Sequence, residues 1–160
     1  MGVYLSNQGN CKDGEHLGAW FNLPIDPEGV AEKIGLYAEY AVHNYLLPIE
    51  VGDYESIERL NHLYVLVEEL NGTPLYGVLR ELMASGHFDG LEDLVARQDD
   101  IRIWPDCHNM SDVARKYVEE GYFDQIPEII EWCIDYERLG RAIAAKGEFI
   151  ETKHGVFEIW

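Results

Sequence analysis

The sequence SIERLNHLYVLVEELNG, residues 56–72, marks the point at which the chain changes from a strand-like to a helical pattern. Ser56 is suited to cap the first turn of a helix, and Gly72 is suited to end it. Between them, apolar residues recur at the spacing that places side chains on one helix face: Ile57, Leu60, Tyr64, Val67 and Leu70. We therefore predict a helix between Ser56 and Gly72.

Strand patterns lie upstream of this helix. Residues 3–5 and 17–23 indicate the two strands of a hairpin, and residues 37–47 indicate a further strand. Pro27 suits the first turn of a short helix that ends at Gly35. The inward face of that helix is predicted to be Val30, Ala31 and Ile34. The polar loop of the hairpin is predicted to contain Gly9, Asn10, Asp13 and Gly14.

Shorter elements follow downstream. Two helices are predicted over residues 75–83 and 91–96, and a strand over residues 101–104. Residues 149–151 and 156–159 alternate between apolar and polar side chains, which indicates a closing hairpin.

Three more helices are predicted between that strand and that hairpin. The first is capped by Asn109 and closed by Gly121, and the second opens at Pro127 and runs through Cys133. Asp135 is suited to cap the third.

These elements together predict an α+β fold class with three small modules. Residues 1–55 form a β-sheet module with a short helix, and residues 56–100 form a small helical module. Residues 101–160 combine helices with the closing hairpin.

The composition of the 160-residue chain favours a reduced, cytoplasmic protein. Its hydrophobic content of 47% allows a packed core, and no apolar run is long enough to span a membrane. The N-terminus lacks the pattern of a secretory signal. Cys11, Cys107 and Cys133 are odd in number and widely spaced, which favours free thiols over a disulfide framework.

Negative charge is the strongest feature of the composition. The chain has 30 acidic and 12 basic residues, so its net charge is −18. Solubility needs a charge of only about 2–8 in a small domain. In B-DNA, 18 charges correspond to about 31 Å of duplex. A compact globule of this length is about 40 Å across, so its net charge per unit length is within about twofold of that of DNA. Such a protein repels phosphates and is suited to a basic partner.

The charge is spread along the whole chain. Residues 1–55 hold nine acids and two bases, a net charge of −7. Residues 56–100 hold nine acids and three bases, a net charge of −6, and residues 101–160 hold twelve acids and seven bases, a net charge of −5. This distribution excludes a separate acidic tail and indicates a charged coat on folded elements. In the helix after Asn109, three pairs have the spacing for local ion pairing: Asp112 with Lys116, Arg115 with Glu119, and Lys116 with Glu120.

Two alternative functions, a metal-binding site and a metal-dependent nuclease, have less support in the sequence than binding of a basic partner. Asp106, Cys107 and His108 could bind a metal with Cys133 or His154, but the usual Cys and His spacings of zinc sites are missing. A buried thiol beside a loop histidine is the simpler interpretation.

The second alternative is a metal-dependent nuclease. Pro105-Asp106 and Glu151-Thr152-Lys153 formally resemble the nuclease pattern Pro-Asp … Glu-x-Lys, although a charge of −18 does not attract DNA. The sequence has no phosphate-binding glycine loop, no dinucleotide fingerprint and no serine-nucleophile motif. No histidine has a neighbouring Ser or Cys that suggests a nucleophile, so we expect no catalytic residues.

Several segments, in order and over nearly the whole chain, resemble the ArdA antirestriction family. They are VYLSN (3–7), GAWF (18–21), QDDI (98–101), DVAR (112–115), DYE (135–137) with LGR (139–141), and EFIET (148–152) with HGVFEI (154–159). The resemblance implies a protein that mimics B-form DNA and occupies the DNA-binding groove of type I restriction–modification enzymes, formed by their specificity and modification subunits. It also implies an elongated protomer of three small modules, which forms a homodimer through the C-terminal module. From the composition and the missing motifs we expect no cofactor, no enzymatic activity, no direct binding of nucleic acid and no membrane association.

The resemblance also implies which residues meet the partner. Asp106, Asp112, Glu119 and Glu120 match acids near the centre of the dimer, and Tyr117, Trp132 and Ile134 are candidate dimer contacts. The predicted acidic surface comprises Asp13, Glu15, Asp26, Glu28, Glu32, Glu50, Asp53, Glu55, Glu58, Glu68, Glu69, Glu92, Asp93, Asp99, Asp100, Asp106, Asp112, Glu119 and Glu120. An acidic inhibitor of another basic protein, such as a nucleoid protein, a different nuclease or a CRISPR effector, is the alternative. Halophilic acidity is a further alternative, but it would not explain the resemblance to one family.

Overall fold

The computed structural model describes residues 1–12, 15–35 and 39–160, with side chains for all of these except 10–12, 15 and 16. The chain divides into two compact units, Met1–Arg80 and Glu81–Trp160, which we call the N-terminal and C-terminal units. Each contains helices and a three-stranded sheet, so the predicted α+β class is confirmed. The finer division into three modules, and their elongated arrangement, stay predictions.

The sheet of the N-terminal unit contains the predicted hairpin. Strand β1, Gly2–Lys12, lies between β2, Glu15–Asn22, and β3, Tyr40–Leu46, and both pairings are antiparallel. Strand β1 is longer than predicted, so Gly9 and Asn10 are in the strand and the prediction that they lie in a loop was wrong. The reason is that backbone pairing of Cys11 with His16 and of Lys12 with Glu15 extends the ladder.

The outer strand β3 begins three residues later than the predicted strand over 37–47. Residues 37 and 38 of that prediction lie outside the described residues, as do Asp13 and Gly14 of the predicted loop.

Helix α1, Pro27–Ile34, lies between β2 and β3 in the sequence and packs against the sheet. Its N-cap is Asp26, whose carboxylate accepts a hydrogen bond from the Glu28 backbone N–H at 3.2 Å. Val30 and Ile34 are buried, as predicted, whereas Ala31 is half-buried. The buried Asn7 of β1 donates its side-chain amide to the Ile34 and Gly35 carbonyls at 2.9 and 3.2 Å, which fixes the end of α1 on the central strand.

Helix α2, Ile57–Glu69, confirms the helix predicted between Ser56 and Gly72. The Ser56 hydroxyl accepts a hydrogen bond from the Arg59 backbone N–H at 3.0 Å. Gly72 has a φ of +82°, a left-handed conformation that favours glycine after a helix. The Asn61 side chain accepts from the Ile25 N–H at 2.6 Å and donates to the Ile25 carbonyl at 2.8 Å, which ties α2 to the segment after β2.

Two short helices come next along the chain. Residues Tyr76–Val78 form a 3-10 turn that leads into α3, Leu79–Ala84, so the predicted helix over 75–83 begins with a tighter turn. Helix α4, Leu91–Ala96, matches its prediction and is followed by a second 3-10 turn, Gln98–Asp100. Within the described residues, the structure has no helix that is long and apolar enough to cross a membrane.

The sheet of the C-terminal unit joins the predicted strand to the predicted hairpin. Strand β4, Ile101–Trp104, and strand β5, Glu148–Thr152, flank the central strand β6, Gly155–Ile159, and all pairings are antiparallel. Because β6 is central, every one of its residues is buried. Trp104 and Val156 form part of a core that also contains other buried residues: Cys107 and Val113.

Helices α5, Met110–Glu119, and α7, Tyr136–Ala144, pack against each other. Asn109 caps α5 and Asp135 caps α7 through side-chain hydrogen bonds, as predicted. Between them lies α6, Glu128–Glu131, which is shorter than the helix predicted from Pro127 through Cys133. That prediction was wrong in length because α6 buries none of its side chains, so no tertiary packing stabilises further turns.

Candidate acidic binding surface

Most of the predicted acidic surface is accessible in the described part of the chain. Asp13 lies outside the described residues, and the side chain of Glu15 is not among those described. Three of the remaining carboxylates are half-buried: Glu55, Asp93 and Asp112. The others are exposed: Asp26, Glu28, Glu32, Glu50, Asp53, Glu58, Glu68, Glu69, Glu92, Asp99, Asp100, Asp106, Glu119 and Glu120.

Some of these acids are engaged by the fold. Asp26 caps α1, and the Asp93 carboxylate accepts from the Asp89 N–H at 3.2 Å while it lies 3.7 Å from the Arg97 guanidinium. The Asp112 carboxylate accepts a hydrogen bond from the His108 N–H at 2.9 Å, just ahead of α5. These carboxylates therefore stabilise local structure as well as contributing charge.

The ion pairs of helix α5 differ from the three predicted from spacing. The Glu120 carboxylate pairs with Arg102 of β4 at 3.0 Å, and Glu119 pairs with Lys116 at 3.4 Å. Arg115 lies over the ring of Tyr136 in α7, 4.2 Å from its centroid. None of the three predicted pairs forms among the described residues. Glu120 and Arg115 take partners on β4 and α7 that are distant in sequence, while Lys116 pairs with Glu119 at a spacing of three residues instead of four.

Other acids make no side-chain hydrogen bond or ion pair with any described residue. In the C-terminal unit they include the exposed Asp99 and Asp100, which follow α4, and Asp106, which follows β4. In the N-terminal unit they include Glu32 and Glu68. Their carboxylates are available to an external cation without breaking an internal contact.

The C-terminal unit also buries one carboxylate that sequence reasoning did not select. Glu158 of β6 is 7% exposed and accepts hydrogen bonds from the Trp104 indole N–H at 3.0 Å and from the Tyr117 hydroxyl. Burial, together with this hydrogen bond and the charge of Glu158, raises the pKa of the Tyr117 hydroxyl. Glu158 is therefore a structural acid, and no short sequence motif distinguishes it from the surface acids.

The three candidate dimer contacts occupy different environments. Trp132 is 79% exposed, whereas Ile134 is half-buried and Tyr117 packs against the core of the C-terminal unit. Sequence reasoning missed further apolar side chains that are exposed in the C-terminal unit, although the doublets in which they occur could have indicated them. They are Tyr122, Phe123, Ile129 and Ile130.

The metal-binding alternatives find no support in the geometry. Within residues 1–12, 15–35 and 39–160, no three His, Cys, Asp or Glu residues are grouped so that they could hold a metal ion. Cys107 is buried, and burial is the main reason why the pKa of its thiol is raised, which disfavours the thiolate that metals bind. The Glu151 carboxylate accepts a hydrogen bond from the Met110 N–H at 3.1 Å, so it supports the start of α5.

A serine–histidine contact occurs that the local sequence does not reveal. The Ser6 hydroxyl lies 2.6 Å from Nε2 of His43, which stands at a β-bulge in the pairing of β1 with β3. Gln8 donates its side-chain amide to the Ser6 oxygen at 2.8 Å. Ser6 is only 2% exposed, so this contact pins two strands together and does not present a nucleophile to a substrate.

A comparison with known proteins covers the part of the chain that contains the segments described above. The family model described as "Antirestriction protein (ArdA)" matches residues 3–158, which is nearly the full length of the chain. No curated protein gives a significant match. The match extends through both compact units and includes the acids on their surfaces, so the chain belongs to the ArdA family of antirestriction proteins.

Proposed function

We propose that this protein inhibits type I restriction–modification enzymes by mimicking DNA and occupying their DNA-binding groove. Membership of an antirestriction family supports an inhibitory role. The observation that carries the proposal is the exposure of carboxylates in both compact units of the described chain. We place this action in the cytoplasm of a bacterial host.

The physical basis is competition for basic side chains. An enzyme that holds DNA does so largely through Lys and Arg contacts to phosphates, which carry no sequence information. Carboxylates such as those of Glu68, Asp99 and Asp106 can take the place of phosphates in these contacts because no described residue pairs with them. Binding of this kind weakens steeply as salt concentration rises.

A homodimer would double the negative charge that is available to mimic DNA. Two chains at −18 each total −36, equivalent to about 61 Å of duplex. The apolar side chains exposed around α6 support self-association through the C-terminal unit, since Ile129, Ile130 and Trp132 are 74%, 54% and 79% exposed. Analytical ultracentrifugation is expected to show a dimer, and Trp132→Ser is expected to shift it towards monomer. A wild-type protein that sediments as a monomer at every concentration would contradict this part of the proposal.

The central experiment is a displacement titration. A type I methyltransferase is loaded with fluorescent target DNA, and the purified protein is added at low and at high salt. We expect DNA release at low salt that requires more protein at high salt. The control is a variant in which many of the unpartnered exposed acids are changed to their amides.

Failure of this experiment has a specific meaning. If the protein displaces no DNA from several type I methyltransferases, the proposed target is wrong. The alternative partner would then be another basic protein that binds nucleic acid, and the same titration with a nucleoid protein or another nuclease would identify it.

A further inference from the structure

The N-terminal unit contains a pocket whose walls combine carboxylates with aromatic rings. It lies where the start of β3 meets the segment leading into α2, and its volume is about 330 Å³. It is lined by Glu39, Tyr40, Tyr54, Glu55, Ser56 and Ile57. No lysine or arginine is among the described residues that line it.

The fold holds the walls of this pocket in place. The Tyr40 hydroxyl donates a hydrogen bond to the Gly35 carbonyl at 3.0 Å, which fixes one aromatic wall. The Val42 N–H donates to the Asp53 carbonyl at 2.7 Å, which fixes the segment that carries the opposite wall. The pocket therefore exists before any ligand arrives.

The Glu55 carboxylate lies close to the backbone of a neighbouring glycine. A Cβ atom at Gly52 would lie 3.2 Å from a carboxylate oxygen of Glu55, so the missing side chain leaves room for this carboxylate to fold back over the backbone. Glu55 is half-buried, unlike most acids of the chain. Tyr54, in contrast, is 74% exposed and presents its ring to an incoming group.

The chemistry of these walls selects a cation. In the described part of the chain, no hydrogen bond or ion pair engages the carboxylate of Glu39 or of Glu55. Lys33 lies over the Phe21 ring, and Arg80 donates to the Leu47 carbonyl, so these two cations have contacts elsewhere. Aromatic faces attract cations, and a planar guanidinium can stack on a ring while it binds carboxylates at its edge.

We infer that this pocket binds a guanidinium group, namely an arginine side chain of the enzyme that the protein inhibits. This inference rests on the proposed function for the identity of the partner. The pocket gives one shaped anchor point within a surface whose other contacts depend on charge alone. Lysine fits less well because its ammonium is compact, strongly hydrated and not planar.

The site itself can be tested without any restriction enzyme. The full chain, labelled with ¹⁵N, is titrated with acetyl-arginine amide, with acetyl-lysine amide for comparison, and NMR shifts are followed. We expect saturable shifts confined to the residues of the pocket, with an affinity of about 1–10 mM for arginine and weaker binding of lysine. Shifts that spread evenly over the acidic surface, or no shifts, would refute the site.

Matched variants separate stacking and pocket shape from net charge. Tyr54→Ala is expected to weaken arginine binding by about threefold to fivefold, while Tyr54→Phe keeps the ring and stays within about twofold of wild type. Glu39→Gln and Glu68→Gln each remove one charge, but only Glu39 lines the pocket. Equal effects of these two substitutions would show that general charge attraction accounts for the binding.

The displacement titration then tests the partner. Tyr54→Ala is expected to raise the concentration needed for half-maximal DNA release by about threefold to fivefold, and Glu68→Gln by less than about twofold. If wild type displaces no DNA, the proposed function fails, whereas the arginine titration still decides whether the site exists. If Tyr54→Ala binds arginine poorly yet displaces DNA like wild type, the pocket takes a free cation and the assignment to the enzyme is overturned.

Discussion

Tyr117 shows how a single residue links the core of the C-terminal unit to pH. Its hydroxyl donates to the buried Glu158 carboxylate, and its ring stacks on Tyr122 with centroids 4.4 Å apart. The pKa of this hydroxyl is raised above its ordinary value of 10 in the folded protein. The folded state therefore keeps a proton that the unfolded chain loses above about pH 10, so stability falls as pH rises through this range.

The prediction is that Tyr117→Phe removes this part of the alkaline loss of stability. The free energy of unfolding, measured in urea at about pH 8 and about pH 11, is expected to fall less with pH in the variant than in wild type. The two proteins differ only at residue 117, so the difference between the two curves isolates this residue. Parallel curves would show that the Tyr117–Glu158 hydrogen bond does not hold the proton.

Asp112 and Asp106 are predicted to differ in their contribution to the stability of the fold. Both were expected to meet the target enzyme. Asp112, which lies in the first turn of α5, also accepts a hydrogen bond from the His108 N–H just ahead of the helix. Asp112→Asn is expected to lower the free energy of unfolding by about 0.3–1 kcal/mol, because a charge favourable to the helix N-terminus is lost. Asp106→Asn serves as the matched control, and an equal loss of stability in both variants would contradict this assignment.

At the scale of elements, the packing of α7 on α5 depends on Gly140. A Cβ atom there would lie 2.5 Å from the Met110 carbonyl oxygen and 3.0 Å from the Ser111 nitrogen. Since these are backbone atoms at the start of α5, they cannot rotate away as a flexible side chain could. Gly140→Ala is therefore expected to lower the free energy of unfolding by about 1–3 kcal/mol.

Gly29 of α1 offers a matched helical control. The nearest atom to a Cβ at Gly29 is an oxygen of Asp26 at 3.9 Å, which is an ordinary contact distance. Gly29→Ala is expected to leave stability unchanged or to raise it by up to about 1 kcal/mol, because alanine favours the helix. The same urea titration measures both variants, and a similar response at the two positions would argue against close packing at Gly140.

Sequence patterns predicted the elements better than the contacts between them. Helix α2 and the caps at Ser56, Asn109 and Asp135 follow from local chemistry, so they could be predicted. The length of α6 could not be predicted from the sequence, because it depends on tertiary packing that this segment lacks. The pairing of β4 with β6 could not be predicted either, since it joins residues separated by more than 50 positions along the chain.

The same limit applies to the candidate surface. The acids could be named from the sequence, but the contacts that engage some of them depend on the fold. The alternating pattern of β6 would predict that Glu158 lies on a solvent-exposed face of the sheet. The strand is instead central and fully buried, and the Glu158 carboxylate accepts a hydrogen bond from the Trp104 indole N–H. The pocket between β3 and α2 has no sequence motif because its walls come from separate segments.

At the scale of the whole molecule, the distribution of acids that make no contact with another described side chain predicts how inhibition responds to loss of charge. One variant changes Glu68, Asp99, Asp100 and Asp106 to their amides, and a second changes Glu28, Glu32, Glu50 and Glu58. Each removes four negative charges and moves the net charge from −18 to −14. All eight carboxylates are exposed, so neither variant is expected to unfold.

Both variants are expected to displace DNA less well than wild type and with a weaker dependence on salt, because fewer charge contacts form with the enzyme. Any one of the eight single substitutions is expected to change the half-maximal concentration by less than about twofold. The displacement titration at two salt concentrations measures both effects, and circular dichroism with sedimentation checks folding and dimer formation. A single one of these substitutions that abolished inhibition in a folded dimer would overturn the distributed model, because a surface that acts through summed charge has no indispensable carboxylate.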